Sequence, residues 1–341
     1  MMTAHANLDD VVVTTVALMP ALPFGYSPAI STSREIQTPS GRKLQFNAPF
    51  FARGLSASQL STNWPAVCGI LRAKGLPMYA TVQELQSVPA TQVPARIAQR
   101  FLGQPFVHDE VTTSDALELV NCTLVGSGWS WPYEISGSRD LKTLVTTLRS
   151  ATGGEVPIGM NLPLNAKLAD MRMSLDSTVD YLTFTHCPEC LTSSTAQVTS
   201  LAAHGIVLAR KICAQYGRPK IPLLLDAPIA NIDHVIKLLA LGASAINIAS
   251  IIRNALPAAE PQRFESKLTE SLLGGLPTVQ KVVRELPQVE RSLAELIQRL
   301  SETLRFAGLL DVAELESSCL LSMNTVVAEQ LGIAPIVNRI N

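Results

Sequence analysis

Ile221-Pro-Leu-Leu-Leu-Asp-Ala-Pro-Ile-Ala-Asn-Ile-Asp-His-Val-Ile-Lys-Leu-Leu-Ala-Leu-Gly-Ala-Ser-Ala-Ile-Asn-Ile-Ala-Ser250 is the stretch whose reading decides the fold. Ile221 to Leu225 is an apolar run too short for a helix and bounded by turn residues, which predicts a strand buried on both faces. Asn231 stands where an N-cap belongs, ahead of Ile232, Val235, Ile236, Leu239 and Ala240 at helical spacing, and Gly242 closes that helix. Ala245 to Ala249 then predicts a second buried strand. Two parallel strands joined by an amphipathic helix make a βαβ unit, and the rest of the chain reads as further copies of it.

Working outward, the predicted strands are Phe46–Ala52, Pro77–Thr81, Pro105–His108, Cys122–Val125, Val156–Leu162 and Tyr181–Thr185. With the two in the opening stretch they number eight. Ser56 caps a helix over Ala57 to Ala73 that Gly75 ends, Ala116–Val120 reads as the end of a short helix, and Asp140–Ala151 and Thr195–Gln215 are helical, Gly205 weakening the second. Eight strands alternating with helices predict a (β/α)8 TIM barrel with its functional groups at the C-terminal strand ends. An open doubly wound sheet is the competing architecture, but no G-x-G-x-x-G follows a strand. The expected organisation is an N-terminal arm over 1–40, the barrel over 41–262, and a C-terminal helical extension over 263–341 packed on the barrel. Its helices are Ser266–Leu273, Val279–Glu285, Val289–Phe306 ended by Gly308, and two shorter ones.

Composition narrows the function. At 341 residues the chain is 47% hydrophobic and 16% charged, which suits strands buried on both faces. A net charge of -1 gives no footprint for nucleic acid or an acidic membrane. Six unevenly spaced cysteines do not form a disulfide framework, so a reducing, cytoplasmic setting is expected. Val11 to Phe24 is apolar, yet Asp9 and Asp10 precede it and Pro20, Pro23 and Pro28 would break a helix there, which predicts an edge strand or packed arm rather than an export signal or membrane span.

Several segments, in order, resemble the FMN-binding barrel of the glutamate synthase family. Ala52-Arg53-Gly54-Leu55-Ser56 is similar to the Met-Ser-x-Gly-Ala-Leu-Ser loop after its first strand, and Gly126-Ser127-Gly128 to its Gly-Gln-Gly. Trp131-Pro132-Tyr133-Glu134-Ile135 through Arg139-Asp140-Leu141 resembles its Ser-Pro-Pro-x-His-x-Asp-Ile segment. Asp233, Val235, Lys237, Leu241, Gly242 and Ala243 fall in register with its Asp-Val-x-Lys-Ala-x-x-Leu-Gly-Ala, and Ser301–Leu315 resembles the helix that closes the barrel. The likeness spans about Asn47 to Leu315. It implies an FMN-dependent oxidoreductase acting on a small amino- or keto-acid-like substrate, as a stand-alone protein without an iron–sulfur cluster because the C-terminal cysteine cluster is lacking. It further implies flavin contacts at Ala52, Arg53, Gly54, Gly126, Ser127, Gly128, Asn161, Ala227, Ile229, Ala249 and Ser250.

The chain departs from that pattern where flavin is touched. Leu124 and Asn161 stand where the family has lysines, and Ala227-Pro228-Ile229 replaces a Gly-Gly-Ile phosphate loop. Proline has no N–H to offer a phosphate. Where the family has Gly-Gly-Thr-Gly, this chain has His186-Cys187-Pro188-Glu189-Cys190. His186, Cys187 and Cys190 are thus catalytic candidates, as zinc ligands or a dithiol, against an inert packed loop. Asp226 is a general base, a ribityl partner or a turn cap. Arg53 reads as a cation for a phosphate or carboxylate, or, preferably, as a solvated loop residue. Trp129, Trp131 and Tyr133 form a stacking surface or an aromatic plug, and Glu84 and Glu134 are acid/base groups or solvated acids. His234 is structural, Lys237 faces outward, and Cys68, Cys213 and Cys319 belong to the core. Two further functions stand beside the flavoenzyme: a barrel that has lost FMN and binds another ligand or a partner protein, a second copy included, and a Cys/His enzyme using the same mouth.

Overall fold

The computed structural model describes residues 7–14, 30–37, 43–102, 113–120, 123–125, 128–130, 135–186, 195–256 and 286–336. Eight parallel strands form its centre: β1 (Phe50–Phe51), β2 (Met78–Tyr79), β3 (Arg96–Phe101), β4 (Ala116–Val120), β5 (Ile158–Pro163), β6 (Tyr181–Thr185), β7 (Leu223–Asp226) and β8 (Ala245–Asn247). From β2 onward each pairs with the next, and β8 returns to β1 with Ile246 opposite Phe50. The seam between β1 and β2 is closed at Ala52, whose N–H reaches Pro77 O at 3.0 Å and whose carbonyl takes the Tyr79 N–H at 2.8 Å. The sheet is a closed barrel, not an open one.

The opening stretch folds as its pattern predicts. Asn231 Oδ1 accepts from Asp233 N at 2.9 Å, and the helix after it (Ile232–Ala240) buries Val235, Ile236, Leu238 and Leu239. Gly242 has φ +116°, a conformation side chains rarely adopt. The helix Thr195–Gln215 runs straight through Gly205, where a Cβ would meet the Leu164 carbonyl at 3.2 Å; glycine there allows close packing.

Two barrel strands are not the ones the sequence suggests. Ala116–Val120 is β4 rather than a helix end, and Arg96–Phe101, with no strand reading at all, is β3. Gln99 and Glu118 interrupt their apolar runs because the barrel interior is polar at that height, while Arg96 and Arg100 alternate onto the other face of β3. Thr123–Val125 is a strand, but it pairs antiparallel with Gly128–Ser130 in a hairpin outside the barrel. Pro105–His108, Ser266–Leu273 and Val279–Glu285 lie outside the described residues.

Below that polar level the barrel is filled by one side chain from each of seven strands: Phe51, Tyr79, Ile97, Ala116, Tyr181, Leu224 and Ala245. Leu44 and Phe46, from the hairpin that leads into β1, pack against them at the N-terminal end. The eighth strand contributes Gly159, whose Cβ would lie 2.2 Å from the Tyr181 ring. Tyr181 is pinned by its hydroxyl, which donates to Leu117 O at 3.0 Å, so the ring cannot give way. Gly159→Ala is expected to cost about 1–3 kcal/mol of stability in urea unfolding, the range for overpacked cores.

The ends of the chain meet outside the barrel. Val11–Val13 pairs antiparallel with Leu320–Ser322, which pairs in turn with Ala334–Pro335. Lys237 is not a surface residue: its Nζ donates to Leu8 O at 2.8 Å, and His234 beside it bonds Asp9 at 2.8 Å. Helical phase sends Lys237 away from the barrel, but the N-terminal strand covers that face. Pro287–Ala307 buries Val289, Leu293, Leu296, Leu300 and Leu304 in one stripe, packs on the helices Ile232–Ala240 and Ala249–Ala255, and ends at Gly308 with φ +79°. Among the described residues no helix is long and apolar enough to cross a membrane.

Candidate functional site

Side chains alternate along a strand, so the residue two beyond each interior apolar one also points inward. Here that residue is polar almost everywhere: Arg53 beyond Phe51, Gln99 beyond Ile97, Glu118 beyond Ala116, Asn161 beyond Gly159, Thr183 beyond Tyr181, Asp226 beyond Leu224 and Asn247 beyond Ala245. The barrel thus carries a polar ring toward its C-terminal mouth.

Glu118 is its hub. The carboxylate is fully buried and accepts four donors: Arg53 Nη1 (2.9 Å) and Asn161 Nδ2 (3.1 Å) on one oxygen, the Tyr79 hydroxyl (2.6 Å) and the Thr183 hydroxyl on the other. Arg53, 13% exposed, also gives Nη1 to Thr185 Oγ1 (3.2 Å) and Nε to Asp226 Oδ2 (3.1 Å), and lies 4.8 Å from the Tyr79 ring centroid. With its amide oxygen turned to the guanidinium, Gln99 accepts from Nε and Nη2 at 3.2 and 2.5 Å. Arg53 is therefore a buried, saturated cation and not a solvated loop residue. Its partners come from β3, β4, β6 and β7, far from it in sequence. Burial pulls its pKa down, but Glu118, Asp226 and the tyrosines outweigh that and hold it above the ordinary value. Burial, then Glu118, pushes Tyr79 well above the usual phenol range, so it stays a donor.

Asp226 lies at the rim, 15% exposed, and does not serve merely as a turn cap: besides Arg53 it takes Asn247 Nδ2 at 2.7 Å. Asn247 also spans the β1–β8 seam, accepting from Arg53 N and donating to Arg53 O, and its oxygen caps Ala249 N at the start of the next helix. His186 comes directly after β6, its N–H bonded to Asp226 O at 2.8 Å. Burial lowers the imidazole pKa and the nearby Asp226 opposes the shift; the net is downward, leaving a neutral ring at neutral pH. Among the described residues two buried atoms here have no partner, Asn161 Oδ1 and His186 Nε2.

Of the residues singled out in the sequence, the structure brings together Arg53, Asn161, His186 and Asp226, with Ala52 buried in the seam beside them. Gly54 has φ +79°, and its carbonyl accepts from Arg253 Nη1 at 2.9 Å. Ala227 and Ile229 are buried, and the Ile229 N–H is closed onto Ala227 O at 2.8 Å. Ala249 and Ser250 begin the short helix after β8, and Gly128 begins the second strand of the outer hairpin. Gly126, Ser127, Trp131, Tyr133, Glu134, Cys187 and Cys190 lie outside the described residues. Among the described residues no group of three His, Cys, Asp or Glu is placed to hold a metal ion. Glu84 is neither acid nor base here; it completes a capping box with Thr81. Cys68, Cys213 and Cys319 are buried, and burial pushes the Cys68 thiol up to about 12. Glu118, Gln99, Thr183 and Asn247 carry a signal the sequence reading passes over, a polar residue two places beyond an interior apolar one, and Tyr79 joins them through its hydroxyl from the layer below.

No family model and no curated protein matches the chain in sequence. Solved structures do match in shape. A flavocytochrome b2 variant holding benzoylformate superposes with a TM-score of 0.62 at 13% identity, covering 98% of this chain and 81% of that one. A mandelate oxidase variant with an FMN monooxide adduct gives 0.56 at 17%, covering 90% and 86%. A flavocytochrome b2 variant with pyruvate bound gives 0.62 at 14%, covering 98% and 81%. The chain has the fold of these proteins. At such identities the likeness carries architecture, and the chemistry must be argued from the ring and its rim.

Proposed function

We propose that the chain is an oxidoreductase of the FMN-barrel type acting at this mouth on a small amino- or keto-acid-like molecule, as the glutamate-synthase resemblance implies. The observation that carries the proposal is His186, whose backbone N–H bonds the Asp226 carbonyl and whose neutral imidazole feels the Asp226 charge, at the C-terminal rim of a barrel shaped like a mandelate oxidase that bears an FMN adduct. His186 is placed to accept a proton from the substrate, and Asp226 to stabilise the imidazolium that results. Glu118 and Gln99 hold Arg53 still beneath them. The partner is taken to be a small molecule in the cytoplasm rather than nucleic acid or a membrane, on charge balance and cysteine usage.

FMN needs a phosphate site as well as a place for its ring. The loop after β7 does not provide one: Pro228 has no N–H and the Ile229 N–H is already bonded. Arg53 is neutralised by two carboxylates. The described residues therefore do not fit the phosphate where the resemblance puts it, and the proton transfer assigned to His186 does not run through the flavin. A second reading, a barrel that takes its ligand without FMN, rests on this loop. Incubation with FMN, removal of the excess and a visible spectrum separate the two. The first reading predicts retained flavin bands, with Pro228→Gly tightening FMN by roughly tenfold through the restored N–H. Wild type and variant both left colourless would establish the second.

A further inference from the structure

We infer that the group admitted to this ring is a cationic hydrogen-bond donor, a primary ammonium, rather than a carboxylate. The inference deepens the proposed function and rests on the mouth being the substrate site.

Three observations carry it. The first is charge: among the described residues of the ring Arg53 contributes +1 while Glu118 and Asp226 contribute -1 each, a sum of -1, with His186 neutral and Arg253 held exposed beyond the ring on Gly54 O. A carboxylate entering would meet net repulsion, an ammonium net attraction, in surroundings that screen poorly. The second is the state of Arg53, the charge a carboxylate would seek. Nη1 serves Glu118 and Thr185, Nε serves Asp226 and Gln99, Nη2 serves Gln99, and the ring of Tyr79 lies alongside. A substrate anion would have to displace these partners and leave buried carboxylates unpaired.

The third is independent of both. Asn161 is completely buried and its amide sits inside the cluster, Nδ2 donating to Glu118 Oε1 at 3.1 Å and to Thr185 Oγ1 at 2.6 Å. That pairing fixes which way the amide faces, since turning it would set its oxygen against the Glu118 carboxylate. Among the described residues Asn161 Oδ1 is then left as a buried acceptor without a donor. Buried orphan acceptors are uncommon and mark a place for something else. Asp226, held through one contact on each oxygen, keeps acceptor capacity toward the rim. An ammonium offers three donors to such a set.

The probes are propylamine and propionate, matched in size and opposite in charge, titrated calorimetrically into the purified chain at neutral pH. Propylamine is expected to bind more tightly. Asp226→Asn and Asn161→Leu, both close in shape to the residues they replace, should each weaken it about tenfold, the effect of one lost hydrogen bond to a charged group. Propionate binding more tightly than propylamine, neither probe binding, or amine binding indifferent to both substitutions overturns the inference. Flavin uptake is read separately from the spectrum, so failure of this inference is distinguished from failure of the proposed function.

Discussion

Glu118→Ala is expected to destabilise the protein by about 3–5 kcal/mol, the largest of the expected stability effects, read as a fall in the urea midpoint. The figure reflects what is stranded rather than what is removed. Glu118 is wholly buried, and four donors converge on it, from Arg53, Tyr79, Thr183 and Asn161. Removing the acceptor leaves a guanidinium, 13% exposed, with Asp226 as its remaining carboxylate, and three neutral donors deprived of that acceptor. Glu118→Gln, which keeps two acceptor lone pairs but no charge, should cost less. Replacing both members, as Arg53→Met with Glu118→Leu, should recover much of the loss, because a buried ion pair is held in place more by the cost of breaking it than by any large net gain. A loss under about 1 kcal/mol for Glu118→Ala would mean that water reaches the ring freely.

His186→Asn should lower kcat by about 10²- to 10⁴-fold, the usual contribution of a general base, while leaving the fold intact because the ring makes no side-chain hydrogen bond through Nε2. The pH dependence carries the distinguishing sign. Burial disfavours the imidazolium, partly offset by Asp226, so the folded pKa lies below the ordinary 6.5. Activity should therefore persist as pH falls through 6.5 and decline only below it; in the variant that acidic limb should vanish. The same depression makes a stability prediction: the unfolded chain takes up the proton first, so stability is lost as pH falls from 6.5 toward the folded value. A wild-type limb above 6.5 would contradict the assignment of His186.

Much of the architecture is legible in the residues. The β7–helix–β8 unit is, because its strands are buried on both faces and read as unbroken apolar runs, with Asn231 and Gly242 marking the helix ends. β3 and β4 are not, for the reason that makes the site: Gln99 and Glu118 point into a polar interior, and a polar residue in mid-strand breaks the run by which a buried strand is recognised. The eight predicted strands included two segments that are not described barrel strands, while β3 and β4 went unrecognised. Of the site, Asp226, Asn161 and His186 are visible as polar residues at or near strand ends. Arg53 is visible too, yet an Arg-Gly-Leu-Ser turn looks solvated until its partners are known, and Glu118 stands 65 residues away. Lys237 fails in the same manner, since helical phase shows which face it occupies but not that the N-terminal strand covers that face. Long-range pairing is what a local reading lacks.

Oxidoreduction at the mouth of this barrel, with His186 as its base, is tested most directly by the anaerobic visible spectrum of FMN-loaded protein. The spectrum is recorded before and after adding a small amino acid, in wild type and in His186→Asn. Bleaching of the flavin bands is predicted in wild type, and its loss or severe slowing in the variant. Flavin bands that stay unchanged with every such acid, or bleach equally fast in both proteins, would contradict it.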